Sequence, residues 1–337
     1  MEPVILHRAI LHILDSLHET PILSENELEI EIDTHDFLER HISKILRDGD
    51  LKKAVWGPGN TEIYDSCKQL QNNEPLLAKV SIELANRLFA IMKQNPDIPS
   101  ADVVFCIFET EGVRYFGLLK LNYRNSYIHY VANTTAGNSN KLIRQKTTLP
   151  SENQKIDECI IINLTNFELK IIEKKYEIGS DKEFYLSKHF LKCDSDLSYL
   201  QKINLLDKTV NKISKKYFDE DFEKVAKLRS CMAQSIEKSN EIKVEALAEQ
   251  VFGEIPDIKK QYLEDVKKGG LVENKVVVPQ ANLTSKKFKT QKLQTDSGIE
   301  INFPSEFYND KEVIEFINNP DGTISILIKN VNKVVNK

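Results

Sequence analysis

Two sets of side chains in this sequence have the types and spacing to act on a polyanion. The first is Lys286, Lys287, Lys289 and Lys292, which fall in the stretch ANLTSKKFKTQKLQT (residues 281–295) without an Asp or Glu among them. An ammonium group that pairs a phosphate releases condensed counterions, so such a run suits a nucleic-acid backbone and reads no base. The competing explanation is a solvated lysine-rich loop. The second set is Asp157 with Glu168 and Lys170, in the order Asp…Glu-x-Lys. In a nuclease of that pattern two carboxylates hold a divalent ion and the lysine supports the attacking water. The triplet is short, and a chain with 46 Lys+Arg and 51 Asp+Glu produces it by chance. Alternate residues of a strand share a face, so Glu168 and Lys170 also fit an exposed, salt-bridged edge. The expectation is therefore that no residue is catalytic and that the protein is not an enzyme.

Other chemistry has less support. Five of the seven histidines (His7, His12, His18, His35, His41) lie in the first 41 residues near Asp33 and Asp36, but no pair has the i, i+4 spacing that sets two imidazoles on one helix face. No metal site and no cofactor are expected. The P-loop, GxGxxG, HExxH and GxSxG signatures are absent. Cys67, Cys106, Cys159, Cys193 and Cys231 are widely spaced and form no CxxC pair, so free thiols are expected.

The elements that must position these groups follow from pattern. At 337 residues, 41% hydrophobic and 29% charged, the chain has room for two ordinary domains. The opening VILHRAILHILDSLHE is apolar enough for a strand or a short helix. LSENELEIEID alternates Leu28, Ile30 and Ile32 with glutamates and predicts a half-buried strand, while DFLERHISKILRDG and EPLLAKVSIELANRLFAIMKQ have helical spacing. DVVFCIFE, VRYFGLLKLNY and SYIHYVAN predict a three-stranded meander followed by a polar loop to Pro150, and DECIIINL with FELKIIEKKY predicts a further hairpin turning at Thr165 and Asn166. Beyond Cys193 helices dominate. VEALAEQVF, a turn at Gly253, DIKKQYLEDVKKGG and LVENKVVVP have the helix-turn-helix-strand outline of a winged helix, although the second helix mixes lysines with acids. DSGIEINFP and the two apolar runs around Pro320, Asp321 and Gly322 predict a small terminal sheet. The expected fold is thus α+β: residues 1–194 form a mainly antiparallel sheet packed with helices, and 195–337 form a helical part closed by a small antiparallel sheet.

Charge divides along the same line. Residues 1–200 carry 23 Lys+Arg against 30 Asp+Glu and residues 201–337 carry 23 against 21, within a total of −5. Between Glu19 and Glu39 there are eight acidic residues and no basic one. An acidic chain binds a polyanion only through a local basic surface, which favours the second part. The acidic stretch suggests an alternative role, an adaptor that docks a basic protein partner. No apolar run nears the roughly 20 residues of a membrane span, and the start lacks a signal-peptide core, so a soluble cytoplasmic protein is expected.

Four stretches in collinear order also carry a resemblance: AILHILDSLHETPILSENELE with ERHISKILRDGDLKKA, then ADVVFCIFETEGVRYFGLLKLNY, then YLSKHFLKC, then LQTDSGIEINFPSEF with DGTISILIKN. Together they span nearly the whole chain, which resembles the bacterial nucleoid-associated family of the NdpA type. The resemblance implies a cytoplasmic, nucleoid-located, non-enzymatic protein that binds double-stranded DNA with little sequence preference and acts alongside type II topoisomerases. It assigns no binding residue and no oligomeric state.

Overall fold

The apolar run near the start is a strand, β1 (Ile5–Leu14), in the computed structural model, which describes residues 3–58, 62–135, 137–218, 222–278, 290–319, 321 and 323–333. After it come α1 (Ile32–Leu46), β2 (Lys52–Trp56), α2 (Glu62–Asn72), α3 (Leu77–Gln94), β3 (Ala101–Thr110), β4 (Val113–Asn122), β5 (Arg124–Thr134) and β6 (Gly137–Thr148). Then follow β7 (Glu158–Asn163), β8 (Leu169–Ile172), β9 (Lys175–Ile178), β10 (Asp181–Phe184), a π-helical turn (Leu186–Leu191) and β11 (Cys193–Ser195). All of these belong to the first of two units, Met1–Asp196 and Leu197–Lys337.

Seven strands of the first unit form one antiparallel sheet in the order β1-β3-β4-β7-β8-β2-β11. Its two faces feed two separate cores. Val103, Phe105 and Ile107 of β3 join Leu77, Leu84 and Leu88 of α3, while Val104, Cys106 and Phe108 join Leu38, Ile42 and Ile45 of α1. Both parities of β3 are therefore apolar, which is why VVFCIF shows no alternation. Gly117 faces Cys106 across the β3–β4 ladder, and a Cβ there would stand 2.8 Å from the Cys106 sulfur, so this contact demands a residue without a side chain.

Two of the expected strands are corrected. LSENELEIEID is not a strand: Leu28 makes one ladder-like bond to Ala9 (2.8 Å), Leu28 and Ile30 pack half-buried on the α1 core, and Ile32 is exposed at the start of α1. The meander also loses its third member. Both edges of β4 are occupied, by β3 and β7, so β5 has no place in the sheet. It pairs instead with β6, which occupies the segment expected to be a polar loop.

The second unit contains α4 (Tyr199–Tyr217), α5 (Phe222–Ser239), β12 (Glu241–Lys243), α6 (Val244–Phe252), α7 (Pro256–Lys268) and β13 (Lys275–Val277). It ends with β14 (Thr290–Gln294), β15 (Glu300–Pro304), β16 (Ile314–Asn318) and β17 (Ile324–Ile328). A Ser198 and Gln201 capping box starts α4. One core unites Leu206, Val210 and Ile213 with Leu228, Met232, Leu247 and Tyr262. The terminal strands form separate ribbons, β14 with β15 and β16 with β17, in place of one closing sheet. Phe303 is buried as its alternation implies and lies 6.2 Å from the Phe316 ring, but Ile299 is exposed, because β15 begins only at Glu300. Asp321 lies in the turn before β17; Pro320 and Gly322, the other turn residues expected there, lie outside the described residues. The chain is α+β, with the antiparallel sheet in its N-terminal part and small antiparallel sheets among the helices of the rest.

His12 illustrates how tightly the first unit is assembled. Its buried ring accepts the Ser24 N–H at Nδ1 (3.0 Å), so the proton resides on Nε2, which donates to Ser81 Oγ of α3 (2.9 Å). Burial holds the imidazole down to about 4 from 6.5. The fold therefore favours the neutral ring: this stabilisation is complete above pH 6.5 and is lost as the pH falls toward 4, by on the order of 3 kcal/mol. Trp56 is the single tryptophan and lies in this unit, so its fluorescence reports the unit's own unfolding. His12→Gln should lower the urea midpoint at pH 7 and close most of the gap to the wild type at pH 4.5; a gap that stays constant with pH would contradict the neutral ring.

Candidate nucleic-acid interface

In the second unit the local order is helix α5, strand β12, helices α6 and α7, strand β13. β12 and β13 pair antiparallel, Ile242 opposite Val276, and so bring the two ends of the α6–α7 hairpin together. Asn274 clasps the start of α6, taking the Val244 N–H on its carbonyl (3.0 Å) and the Glu245 N–H on Oδ1 (3.0 Å). Pro256 at the first turn of α7 forces a fresh helix start, and the Phe252 and Tyr262 rings, 5.3 Å apart, fix the two helices against each other. This is the element order of a winged helix, in agreement with the sequence outline.

The outward side of α7 is of mixed charge. Lys260, Glu264, Lys267 and Lys268 are exposed, Lys259 is ion-paired to Glu249, and Asp265 accepts from Lys212 at 3.1 Å. Lys212 and Gln261 hold the Asp265 carboxyl below the ordinary range. A more uniformly basic surface lies on α4. Lys208, Lys212, Lys215 and Lys216 are all exposed, and at i, i+4, i+7 and i+8 they line one helix face, opposite the buried Ile203, Leu206, Val210 and Ile213. Asp207, within this stretch, is neutralised by Arg229 (2.6 Å). Lys208, Lys212 and Lys268 line an open cleft of about 320 Å³ between α4 and the C-terminal end of α7, with Asp265 as its one carboxylate. In sequence the α4 lysines are dispersed and share a face only through the helical period, whereas the run at 286–292 is dense.

Of the four lysines singled out in the sequence, Lys286, Lys287 and Lys289 lie outside the described residues. Lys292 is exposed on β14, opposite Asn302. The Asp157, Glu168 and Lys170 triplet does not converge. Asp157 precedes β7 and is held by Arg124 (3.0 Å) and Lys174 (2.8 Å), whereas Glu168 lies beside Asn163 at the far end of that strand and pairs with Lys53 (2.7 Å). Six residues of strand separate them, roughly 20 Å at about 3.4 Å per residue, too far to share a metal ion. The histidines are likewise dispersed: His7 faces Glu109, His12 faces Ser81, and His41 meets the Pro150 carbonyl. Among the described residues no three His, Cys, Asp or Glu side chains gather as metal ligands, and no helix is long and apolar enough to cross a membrane.

The sequence profile of the family described as nucleoid-associated protein YejK matches residues 10–336. The chain belongs to that family. No individual curated protein matches it. The match extends through both units.

The lone carboxylate of the cleft gives a direct test of its electrostatics. Asp265→Asn removes a negative charge and releases Lys212, so the variant should elute from immobilised heparin at higher salt than the wild type. Identical elution would mean that the cleft does not meet the polyanion.

Proposed function

We propose that the protein is a nucleoid-located DNA-binding protein whose second unit, 195–337 as read from the sequence, contacts the phosphate backbone with little regard for base sequence. The observation that carries this reading is the concentration of exposed lysines in that unit of a nucleoid-associated family member, on the face of α4, at the end of α7 and at Lys292; in sequence the run Lys286, Lys287 and Lys289 leads into the last of these. In the sequence the lysine run follows β13 and leads into β14, which keeps it in the lysine-rich unit. The mixed charge on α7 argues against a base-reading helix and for positioning by phosphate contacts. No catalytic step, metal or cofactor enters the reading.

A second reading has one observation of its own. Glu25, Glu29, Glu31, Asp33 and Asp36 are exposed between β1 and the middle of α1, and this acidic face suits a basic protein partner. A type II topoisomerase is the partner class implied by the resemblance noted in the sequence.

Replacing Lys286, Lys287, Lys289 and Lys292 together by Gln should weaken binding equally on unrelated duplexes. If each pairs a phosphate, the slope of log K against log salt should become shallower by about 3 to 4, from about 0.9 counterions per contact. The same change at Lys208, Lys212, Lys215 and Lys216 measures the α4 face independently. Unchanged slopes in both folded variants would overturn the C-terminal interface.

A further inference from the structure

The ribbon β5–β6 belongs to neither core. Its strands pair only with each other, in register from Arg124 opposite Thr148 to Thr134 opposite Gly137, with one irregularity near its base. Ten or so residues per strand give it a length of roughly 35 Å at about 3.4 Å per residue. Residues 125–131 and 140–147 are exposed throughout, among them Tyr127, Tyr130 and Leu142 at 65%, 52% and 77%. A two-stranded hairpin with no covered face is marginally stable on its own, so such an arm calls for an occupant.

Its charge indicates which. The 25 residues 124–148 contain Arg124, Lys141, Arg144 and Lys146 and not one Asp or Glu, inside a unit that is strongly acidic overall. Arg124 is spent at the base on Asp157; Lys141, Arg144 and Lys146 form no ion pair among the described residues. The register distributes the rest. Tyr127 lies directly opposite Arg144 and His129 opposite Leu142, which share one face. On the other face Tyr130 lies opposite Lys141 and Ile128 opposite Ile143. Each face thus presents a tyrosine beside a cation, together with aliphatic surface.

We infer that this ribbon is a second DNA-contacting element, an arm that enters a groove of the duplex. A B-DNA major groove admits a two-stranded ribbon, and its two walls are rows of phosphates. Cations on opposite faces of one ribbon match those two walls, while the tyrosines and aliphatics between them pack on sugars and base edges. A flat protein partner would cover only one face. A second copy pairing ribbon to ribbon would set like charges together, which opposes association.

The inference rests on the DNA-binding reading above, and the test separates the two. Binding of the full chain to a labelled duplex is measured by fluorescence anisotropy against salt for the wild type, for the variant with Lys141, Arg144 and Lys146 all replaced by Gln, and for the quadruple variant at 286–292. If the arm contacts DNA, the triple variant should show a slope shallower by about 2 to 3. A wild-type slope in the triple variant, with a reduced slope in the quadruple one, removes the arm and leaves the C-terminal interface standing. No salt-dependent binding by the wild type removes both. An unchanged slope accompanied by a lower sedimenting mass of the triple variant would assign the ribbon to a second copy of the chain and overturn the proposal. Should the triple variant fail to fold, a photo-crosslinking phenylalanine at Tyr130 in the otherwise native chain decides: crosslinks to the labelled duplex support the arm, and crosslinks only to protein refute it.

Discussion

Lys120 and Glu158 lie opposite each other on β4 and β7, with 2.8 Å between Nζ and Oε2 and no solvent at either side chain. Such a pair is costly to bury unless further hydrogen bonds compensate it. Lys120 donates also to the Pro99 carbonyl (3.0 Å) and Asn122 Oδ1 (2.6 Å), and Glu158 Oε2 accepts from Asn122 and Tyr176 at 3.0 Å each. Burial pushes the Lys120 ammonium down from its usual value, with Glu158 opposing that shift. Removing one partner of a buried pair strands the other charge, at about 3 to 5 kcal/mol, so the pair ties together the α3–β3 loop, the sheet and the β9 hairpin. A similar pair, Lys52 with Glu173 at 2.8 Å, ties β2, which lies next to the edge strand β11, to the π-helical turn through Ser187. The two pairs fix the middle of the sheet and the strand beside its β11 edge, and α3 and α1 close its two faces.

This two-sided closure decides what leaves the sheet. Once β3 and β7 occupy the edges of β4, the chain after Asn122 cannot pair beside that strand and folds back on itself as β5 and β6. The residues that follow are suited to that fate. They are β-prone, and they carry polar or cationic groups in both parities, so neither face could have been buried without stranding charge. Fold and function meet at this point: the segment excluded from the core is the one left to bind something outside it.

The sequence was legible where one physical signal dominated. α1 and α3 showed their apolar stripes, and β3, β4, β7 and β8 their β-branched and aromatic runs. It misled where two structures satisfy the same pattern. Leu28 and Ile30 alternate with glutamates as in a strand, yet a single hydrogen bond and partial burial on the α1 core meet the same demand without a ladder. SYIHYVAN read correctly as a strand, but pairing is a non-local property that propensity does not encode. The lysines at 286–292 were conspicuous because they are contiguous. Those at 208, 212, 215 and 216 are equally basic, but only the helical period reveals that they share a face.

Charge placement explains how an acidic chain can serve a polyanion. At physiological salt the Debye length is about 8 Å, so carboxylates more than a few turns of helix away contribute little to the potential at a lysine face. What matters is the balance within that radius. Around Lys208 and Lys212 the nearby acids are Asp207, already paired to Arg229, and Asp265, already paired to Lys212. Along β5 and β6 there are none. On the proposed reading the −5 of the whole chain acts on solubility and on long-range encounter at low salt, while association at working salt would be governed by these acid-poor local surfaces. A phosphate contact also releases counterions from the DNA regardless of the protein's net charge, so the driving force depends on how many lysines and arginines reach phosphates and not on the sum over the chain.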